Sequence, residues 1–259
     1  MLKSKELRKR AWESLRGKYW MAFAVVIVTG LIGSVGNAFV SFGQNLSEVL
    51  GLVDVSEMDS TMELGALVLN GVVMVSSIIG ALFGIFVTNA ITVGVCSYFI
   101  QNTDSTPAFS EAFAGFKVKY GRNIGTLLLA GIKLVLWTIL FIIPGIVKSY
   151  EYQMIPYLLA EHPDMTKEQA FAESKRMMTG QKWRAFVLDL SFLGWRILSI
   201  VTMGILDIFY VQPYVNAAHA ALYEALRYGN PAGNMMNGGN FYEAPVQPEF
   251  VNPNGMNQQ

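Results

Sequence analysis

The sequence has little charge and almost no cysteine. Of its 259 residues, 15% are charged and 53% are hydrophobic, whereas an ordinary soluble domain carries about 25% charged residues. The 29 positions of 19–47 and the 40 positions of 64–103 contain no Asp, Glu, Lys or Arg. Because about 20 apolar residues suffice to cross a bilayer, this composition indicates a multispanning membrane protein. It excludes a soluble enzyme, a secreted disulfide scaffold and a disordered regulator.

The sequence also lacks the motifs of common catalytic and metal sites. Cys96 is the single cysteine, and the two histidines, His162 and His219, are far apart, so neither an internal disulfide nor a Cys/His metal cluster is expected. No GxxxxGK[ST], HExxH or GxSxG pattern occurs, which argues against ATP-driven pumping and against these classes of hydrolase. We therefore expect no cofactor, no metal and no catalytic residue, and nothing in the chain suggests a nucleic-acid partner.

The hydrophobic pattern predicts an all-α fold, a bundle of about six transmembrane helices with short interfacial amphipathic helices. The second hydrophobic stretch is too long for one untilted crossing, so it is either tilted with an interfacial end or kinked. Pro144 predicts a break after the third segment, and the segment that follows either spans the membrane or is re-entrant. The six expected segments are about 20–42, 65–100, 124–143, 144–160, 184–203 and 206–227.

Three regions follow from this pattern. Residues 1–18 form a basic amphipathic cytoplasmic helix that either lies on anionic lipid or serves only as a charged flank that sets orientation. Residues 19–228 form the membrane domain, and the tail 229–259, with seven Asn, four Pro and no base, should be disordered and cytoplasmic. Within the domain, Thr166 to Gln169 has the pattern of a capping box, Gly180 is a candidate C-terminal cap, and Gly204 marks a turn.

The charges are segregated along the chain although they sum to zero. Seven basic residues lie in the first 18 positions, and five acidic residues but no basic ones lie in 40–63. Basic clusters also occur in 117–122 and in 167–184. Because basic loops favour the cytoplasmic side, we expect both termini in the cytoplasm, the acidic loop outside, and a bacterial plasma-membrane location.

Several segments resemble a bacterial family of uncharacterised integral membrane proteins, known only as a domain of unknown function. They are KELRKRAW at 5–12, FIIPGIVK at 141–148, YEYQMIP at 150–156, SKRMMTG at 174–180, KW at 182–183, LDLSFLGW at 188–195, TMG at 202–204 and PY at 213–214. The resemblance covers about residues 3–228 and extends distantly to the membrane domains of some glycerophosphodiester phosphodiesterases. It implies a six-helix membrane fold and no established activity.

Charges inside the predicted spans are the candidate functional residues, since an intramembrane charge is costly and usually faces the protein interior. Asp189 and Arg196 lie two turns apart on one predicted helix. They form either an interhelical clamp, with each other or with neighbouring charges, or part of a substrate or ion path, and mixed signs favour the clamp. The candidate buried charges are Lys133, Lys148, Glu151, Asp189 and Arg196.

Basic residues at the cytoplasmic ends are expected to face anionic lipid headgroups. The candidates are Lys5, Arg8, Lys9, Arg10, Arg16, Lys182 and Arg184. We therefore interpret the chain as a non-enzymatic component that organises membrane lipid or binds a membrane protein or a second copy of itself. A small secondary transporter or channel that uses the buried charges is the alternative, and a membrane enzyme accessory is a third hypothesis that rests only on the phosphodiesterase resemblance.

Overall fold

A computed structural model describes residues 4–51, 60–117 and 119–228. Within these ranges the chain forms eleven α-helices, two π-helical turns and one 3₁₀ turn, and it contains no strand. The helices are α1 Ser4–Leu15, α2 Tyr19–Gly51, α3 Ser60–Phe83, α4 Asn89–Asp104, α5 Ala114–Lys117, α6 Tyr120–Leu140, α7 Ile142–Tyr152, α8 Ile155–Glu161, α9 Lys167–Met178, α10 Lys182–Val201 and α11 Gln212–Arg227. The predicted all-α class is confirmed for this part of the chain. The predicted tail 229–259 and residues 52–59 of the acidic loop lie outside the described residues, whereas α2 and α3 extend as helix into the rest of that loop.

Among the described residues, two helices are long and apolar enough to cross a membrane: Leu67–Asp104, of 38 residues, and Tyr120–Leu140, of 21 residues. A third candidate is α1 together with the first part of α2, which are bent by 96° relative to each other. The second hydrophobic stretch is one continuous helical run with a π-helical turn at Gly84–Thr88, so the chain does not turn back within it. The structure thus supports two or three spanning helices by length and composition.

The predicted fourth span, 144–160, is not one helix. It divides into α7 of 11 residues and α8 of 7 residues, and neither is long enough to cross a bilayer by itself. Pro156 occupies the first turn of α8, where the missing N–H and fixed φ of proline favour a helix start. The prediction of an unbroken segment was wrong because this second proline signal was not used.

The core of the fold surrounds α4 and α11. Each has nine buried residues, and α11 buries five alanines, whose small side chains allow the neighbouring helices to approach closely. The apolar face of α1, formed by Leu7, Ala11 and Leu15, is buried in the same cluster. That stripe is therefore covered by protein and is not free to lie in lipid.

Two close backbone approaches require glycine. A Cβ on Gly94 of α4 would lie 2.1 Å from the carbonyl oxygen of Ala112, and a Cβ on Gly115 would lie 2.0 Å from the carbonyl oxygen of Ala90. Both distances are far below van der Waals contact, and the atoms met are backbone atoms that cannot rotate away. The segment 108–117 is therefore held directly against α4, a contact that the sequence pattern did not reveal.

The α6–α7 turn lies at Phe141, three residues before Pro144. Phe141 has extended backbone angles (φ −154°, ψ 128°), and its N–H donates to the carbonyl of Trp137 at 2.9 Å. Pro144 is the third residue of α7, and Gly145 packs on Thr138, whose Cα would lie 2.8 Å from an added Cβ. The predicted hairpin is confirmed, and its IPG motif (143–145) forms the first turn of the returning helix.

The local signals of the polar segment are confirmed as well. The Thr166 side chain accepts from the N–H of Gln169, and the Gln169 side chain accepts from the N–H of Thr166, which is a complete capping box. Gly180 and Gly204 have φ of +75° and +84°, values that favour glycine. These residues fix the start of α9, the turn into α10 and the turn that leads back towards α11.

Candidate functional site

Asp189 of α10 is held by two side chains from other helices. Its Oδ1 lies 2.7 Å from Nε2 of His219 on α11, and its Oδ2 accepts a hydrogen bond of 3.0 Å from the hydroxyl of Tyr150 on α7. The exposed fractions of the two side chains are 34% for Asp189 and 19% for His219. Both carboxylate oxygens of Asp189 therefore have partners, and the three side chains together join α7, α10 and α11.

The turn at Gly204 explains how these residues meet. Asp189 and His219 each lie fifteen positions from Gly204, so antiparallel helices that leave this turn bring them to the same level. Gln153 of α7 adds a third polar contact, with its Nε2 3.5 Å from Nε2 of His219. The partners predicted for Asp189 were Arg196, Lys133, Lys148 and Glu151. His219 was missed, although its spacing from Gly204 is visible in the sequence.

Glu151 is the centre of a second cluster. Lys148 Nζ lies 2.8 Å from Oε1 and Lys182 Nζ lies 2.6 Å from Oε2, while the exposed fraction of the Glu151 side chain is 6%. Ser174 of α9 donates to the Glu151 backbone carbonyl at 2.6 Å. Two cations thus share one buried carboxylate. Lys182, which is predicted to face lipid headgroups, has its ammonium bound to Glu151, and its contact with lipid stays a prediction.

Lys133 of α6 reaches the same region through aromatic rings. Its Nζ lies 4.1 Å from the centroid of the Phe171 ring on α9, and that ring contacts Tyr152 of α7 edge-on at 5.2 Å. Lys148 Nζ lies 5.9 Å from the Tyr152 ring and 5.6 Å from the Trp137 ring. The faces of these rings attract cations, so the aromatic residues hold the lysines without neutralising them.

Arg196 makes no hydrogen bond or ion pair with these clusters in the described part of the chain, although its charge acts on Asp189 and Tyr150 from a distance. The residue is exposed on α10, whereas the sequence analysis expected it to be buried and considered it as a partner of Asp189. A separation of two turns places Asp189 and Arg196 on one face of α10. The Asp189 carboxylate is nevertheless bonded to Tyr150 of α7 and His219 of α11. Of the five candidate buried charges, the structure therefore assembles Lys133, Lys148 and Glu151 in one region, places Asp189 beside it, and leaves Arg196 outside.

A third cluster, on α8, α9 and α11, was missed by the sequence analysis. Glu173 accepts from Arg176 at 2.6 Å and from Arg227 at 2.9 Å. The hydrogen bond from Arg176, helped by the charge of Arg227 and opposed by partial burial, lowers the pKa of Glu173. Burial and the neighbouring Glu161 carboxylate, which accepts a hydrogen bond from Tyr228, raise the pKa of Tyr228 to about 12. The cluster fastens the end of α11 to the polar helix α9.

The basic residues of α1 are divided by the packing of that helix. Lys5, Lys9 and Arg16 are exposed and Arg8 and Arg10 are half-buried, while Lys9 Nζ lies 3.7 Å from Glu13. The remaining predicted lipid-facing residue is Arg184 at the start of α10, which donates to Gln181 at 2.8 Å. Exposed positive charge on α1 is therefore present, but it belongs to a helix whose apolar side rests on protein.

The part of the chain that the structure describes holds no group of three or more His, Cys, Asp or Glu side chains able to bind a metal ion. Cys96, the single cysteine, is buried in α4 without a disulfide. Chemically, the assembled residues can neutralise charge, hold helices together and present ammonium groups. No arrangement of nucleophile, base and oxyanion donors stands out among them.

The family described as "Protein of unknown function (DUF975)" matches residues 139–230. This range begins at the tip of the α6–α7 hairpin and contains Asp189, His219, Glu151 and the α9 cluster. No curated protein and no solved structure matches the chain. An uncharacterised-family resemblance is thus supported for this part of the chain, and the expected likeness to glycerophosphodiester phosphodiesterases is not.

Proposed function

We propose that the protein is an integral protein of the bacterial plasma membrane, with both termini in the cytoplasm, that organises anionic lipid without catalysing a reaction. In this proposal the six predicted segments are associated with the membrane, and the acidic loop faces outside. The basic-inside and acidic-outside charge alternation supports the orientation. The long apolar helices Leu67–Asp104 and Tyr120–Leu140 support the membrane location.

The pairing of Asp189 is the single observation that carries the non-transport part of the proposal. Both carboxylate oxygens are engaged by groups of the protein itself, as expected for an interhelical clamp. An ion or substrate path needs a charged group that is free to bind and release its ligand. The clamp also accounts for a carboxylate in the middle of α10, where the adjacent residues Leu188 and Leu190 are apolar.

Topology can be tested with single cysteines in a Cys96→Ser background, labelled in intact cells by a membrane-impermeant thiol reagent. Ser56→Cys should react from outside, whereas Ser4→Cys and Lys175→Cys should react only after the membrane is permeabilised. Alkaline carbonate should leave the protein in the membrane fraction. Release by carbonate, or labelling of position 175 from outside, would overturn the proposed membrane arrangement.

The choice between lipid organisation and transport can be tested in reconstituted vesicles. Asp189→Asn should reduce the resistance to unfolding, and the vesicles should show no solute or proton flux that depends on this residue. A stable Asp189→Asn protein that abolishes a flux present in the wild type would refute the clamp and establish the transporter alternative. Arg196→Gln is the matched control, because Arg196 lies on the same helix but is exposed.

A further inference from the structure

The polar helix α9 limits how much of α6 can lie in hydrocarbon. Six of its twelve residues are exposed, and five of these are charged or amide side chains: Lys167, Glu168, Gln169, Lys175 and Arg176. Exposed groups of this kind require water or headgroups, since a charge is costly in the centre of a bilayer. Any part of α6 that lies beside α9 is therefore outside the hydrocarbon.

The part of α6 that lies beside α9 and the residues just before it runs from the first turn of α6 to Lys133. Arg122 donates to the backbone carbonyl of Asp164 at 2.7 Å, just before α9 begins. A Cβ on Gly125 would lie 3.1 Å from Nζ of Lys167, and Lys133 meets the Phe171 ring at 4.1 Å. Although α6 is long enough to span, about two thirds of it runs along a helix that must stay polar.

Beyond Lys133 the turn of the hairpin is apolar and, in the part of the chain that the structure describes, exposed. Five consecutive residues around the turn have exposed fractions between 62% and 79%. They are Ile139, Leu140, Phe141, Ile142 and Ile143. A loop that emerged into water on the far side would carry polar residues, and this one carries none. The seven residues from 134 to 140 rise about 10 Å, which is less than the roughly 15 Å thickness of one hydrocarbon leaflet.

The backbone of the turn is suited to hydrocarbon, where water cannot satisfy polar groups. The N–H of Phe141 donates to the Trp137 carbonyl at 2.9 Å, and the carbonyl of Phe141 accepts from the N–H of Gly145 at 3.0 Å. Pro144 has no N–H to satisfy, and the Thr138 hydroxyl donates to the Leu134 carbonyl at 2.8 Å. The IPG motif thus reduces the number of free polar groups at the tip.

A layer of lysines marks the boundary between the polar body and the apolar tip. Lys148 and Lys182 share Glu151, and the exposed fractions of their side chains are 25% and 29%. Lys133 lies over the Phe171 ring. Three positive charges against one carboxylate leave an excess of positive charge at this level. Each ammonium has three donors, so the lysines can bind a phosphate while they keep the contacts described.

We propose that the α6–α7 hairpin is re-entrant, that its tip ends within the cytoplasmic leaflet, and that Lys133, Lys148 and Lys182 bind the phosphate of an anionic phospholipid there. The acyl chains of this lipid would lie along the exposed isoleucines and leucines of the tip. The inference rests on the proposed function, because it requires a membrane protein with a cytoplasmic α9. It deepens that proposal by naming the lipid site.

The depth of the tip can be measured with a nitroxide at Ile142→Cys, in a Cys96→Ser background, in nanodiscs of phosphatidylglycerol and phosphatidylcholine. Position 142 should be accessible to oxygen and protected from a water-soluble nickel chelate, as expected in the middle of a leaflet. Lys175→Cys, on exposed α9, is the control and should be accessible to nickel. Ile139→Cys repeats the measurement on the other side of the turn.

Two depth results overturn the inference in different ways. If position 142 is exposed to nickel, or reacts with an impermeant thiol reagent from outside the cell, while the protein still resists carbonate, the hairpin spans and only the re-entrant proposal fails. If position 142 is exposed and carbonate also releases the protein, the proposed membrane function fails with it.

Lipid binding can be measured by native mass spectrometry of the detergent-solubilised protein titrated with phosphatidylglycerol. Lys133→Gln should weaken binding about fivefold, as expected for the loss of one lysine near an anionic headgroup. Lys175→Gln, which removes an equal charge from α9, should leave binding unchanged. Equal effects of both variants, or displacement of the lipid by millimolar inorganic phosphate at constant ionic strength, would overturn the lipid site.

Discussion

The carboxylate of Asp189 lies 2.7 Å from Nε2 of His219, across the α10–α11 hairpin. A hydroxyl from a third helix completes the site, since Tyr150 donates to the other carboxylate oxygen at 3.0 Å. Charge-assisted hydrogen bonds of this kind are about twice as strong as neutral ones. The pair therefore fixes the register of three helices at one point, and this structural role leads to the first prediction.

Asp189 and His219 should be energetically coupled. Asp189→Asn and His219→Leu should each destabilise the protein by roughly 1–3 kcal/mol, because each removes the hydrogen bond between the carboxylate and the imidazole. The double variant should lose less than the sum of the two changes, with a coupling energy of about 1 kcal/mol. The measurement is a double-mutant cycle on unfolding in detergent micelles or bicelles.

Arg196 provides the control cycle for that prediction. Asp189→Asn and Arg196→Gln should couple by less than about 0.5 kcal/mol, because Arg196 is exposed and acts on Asp189 only through its charge, without a hydrogen bond. A larger coupling to Arg196 than to His219 would restore the same-helix pair that the sequence suggested and would contradict the geometry described above.

The α6–α7 hairpin should not tolerate a side chain at position 145. In Gly145→Ala the new Cβ would lie 2.6 Å from Thr138 Oγ1 and 2.8 Å from Thr138 Cα. Rotation of the hydroxyl relieves only the first contact, so the helices must separate, at a cost of roughly 1–3 kcal/mol. Thermal unfolding in detergent is the measurement.

Gly131→Ala is the matched control in the same hairpin, since a Cβ there would meet nothing within 4 Å. This variant should be neutral or should gain up to about 1 kcal/mol from helix propensity. If both alanine variants unfold at the wild-type temperature, α7 does not lie against α6 as described.

Local signals were predictable from the sequence, and partners between distant segments were not. The capping box, the glycine turns and the hairpin near Pro144 depend on a few adjacent residues, so the chemistry of each is complete in the sequence. The site at Asp189 depends on which helices are neighbours, and helical spacing describes only one helix at a time. The predicted partners were Arg196 on the same helix and Lys133, Lys148 or Glu151 elsewhere, and the partner found is His219 on the next helix.

The environment of an apolar face is also difficult to infer from the sequence. The stripe of Leu7, Ala11 and Leu15 fitted a membrane surface, but the structure buries it in the protein core. A lipid tail and a buried leucine are equally apolar, so the hydrophobic pattern cannot distinguish the two environments. The same ambiguity affected the number of spans, because length and composition do not reveal that α9 lies beside α6.

The capping box should control the start of α9. Thr166→Ala removes the acceptor for the Gln169 N–H and should destabilise the first turn by about 1 kcal/mol. Amide hydrogen exchange in 166–170 should become faster, while exchange in the core helix α11 stays slow. Thr166→Ser keeps a hydroxyl and should retain protection, and faster exchange in this control would show that the hydroxyl is not the cause.

The Glu173 cluster should make stability depend on pH below about 5. The hydrogen bond from Arg176 is the largest cause of the lowered pKa of Glu173, and the nearby Arg227 charge adds to it. An unfolded glutamate titrates near 4.3, so the unfolded state binds this proton at a higher pH than the folded state. The stabilisation is therefore complete above the unfolded pKa and is lost as the pH falls through the lower folded pKa.

The unfolding temperature of Glu173→Gln should lie below that of the wild type at pH 7, and this difference should shrink between pH 5 and pH 3. Glu168→Gln, on the exposed face of the same helix, should show no such pH-dependent difference. A constant gap between Glu173→Gln and the wild type at all pH values would mean that packing rather than charge explains the effect.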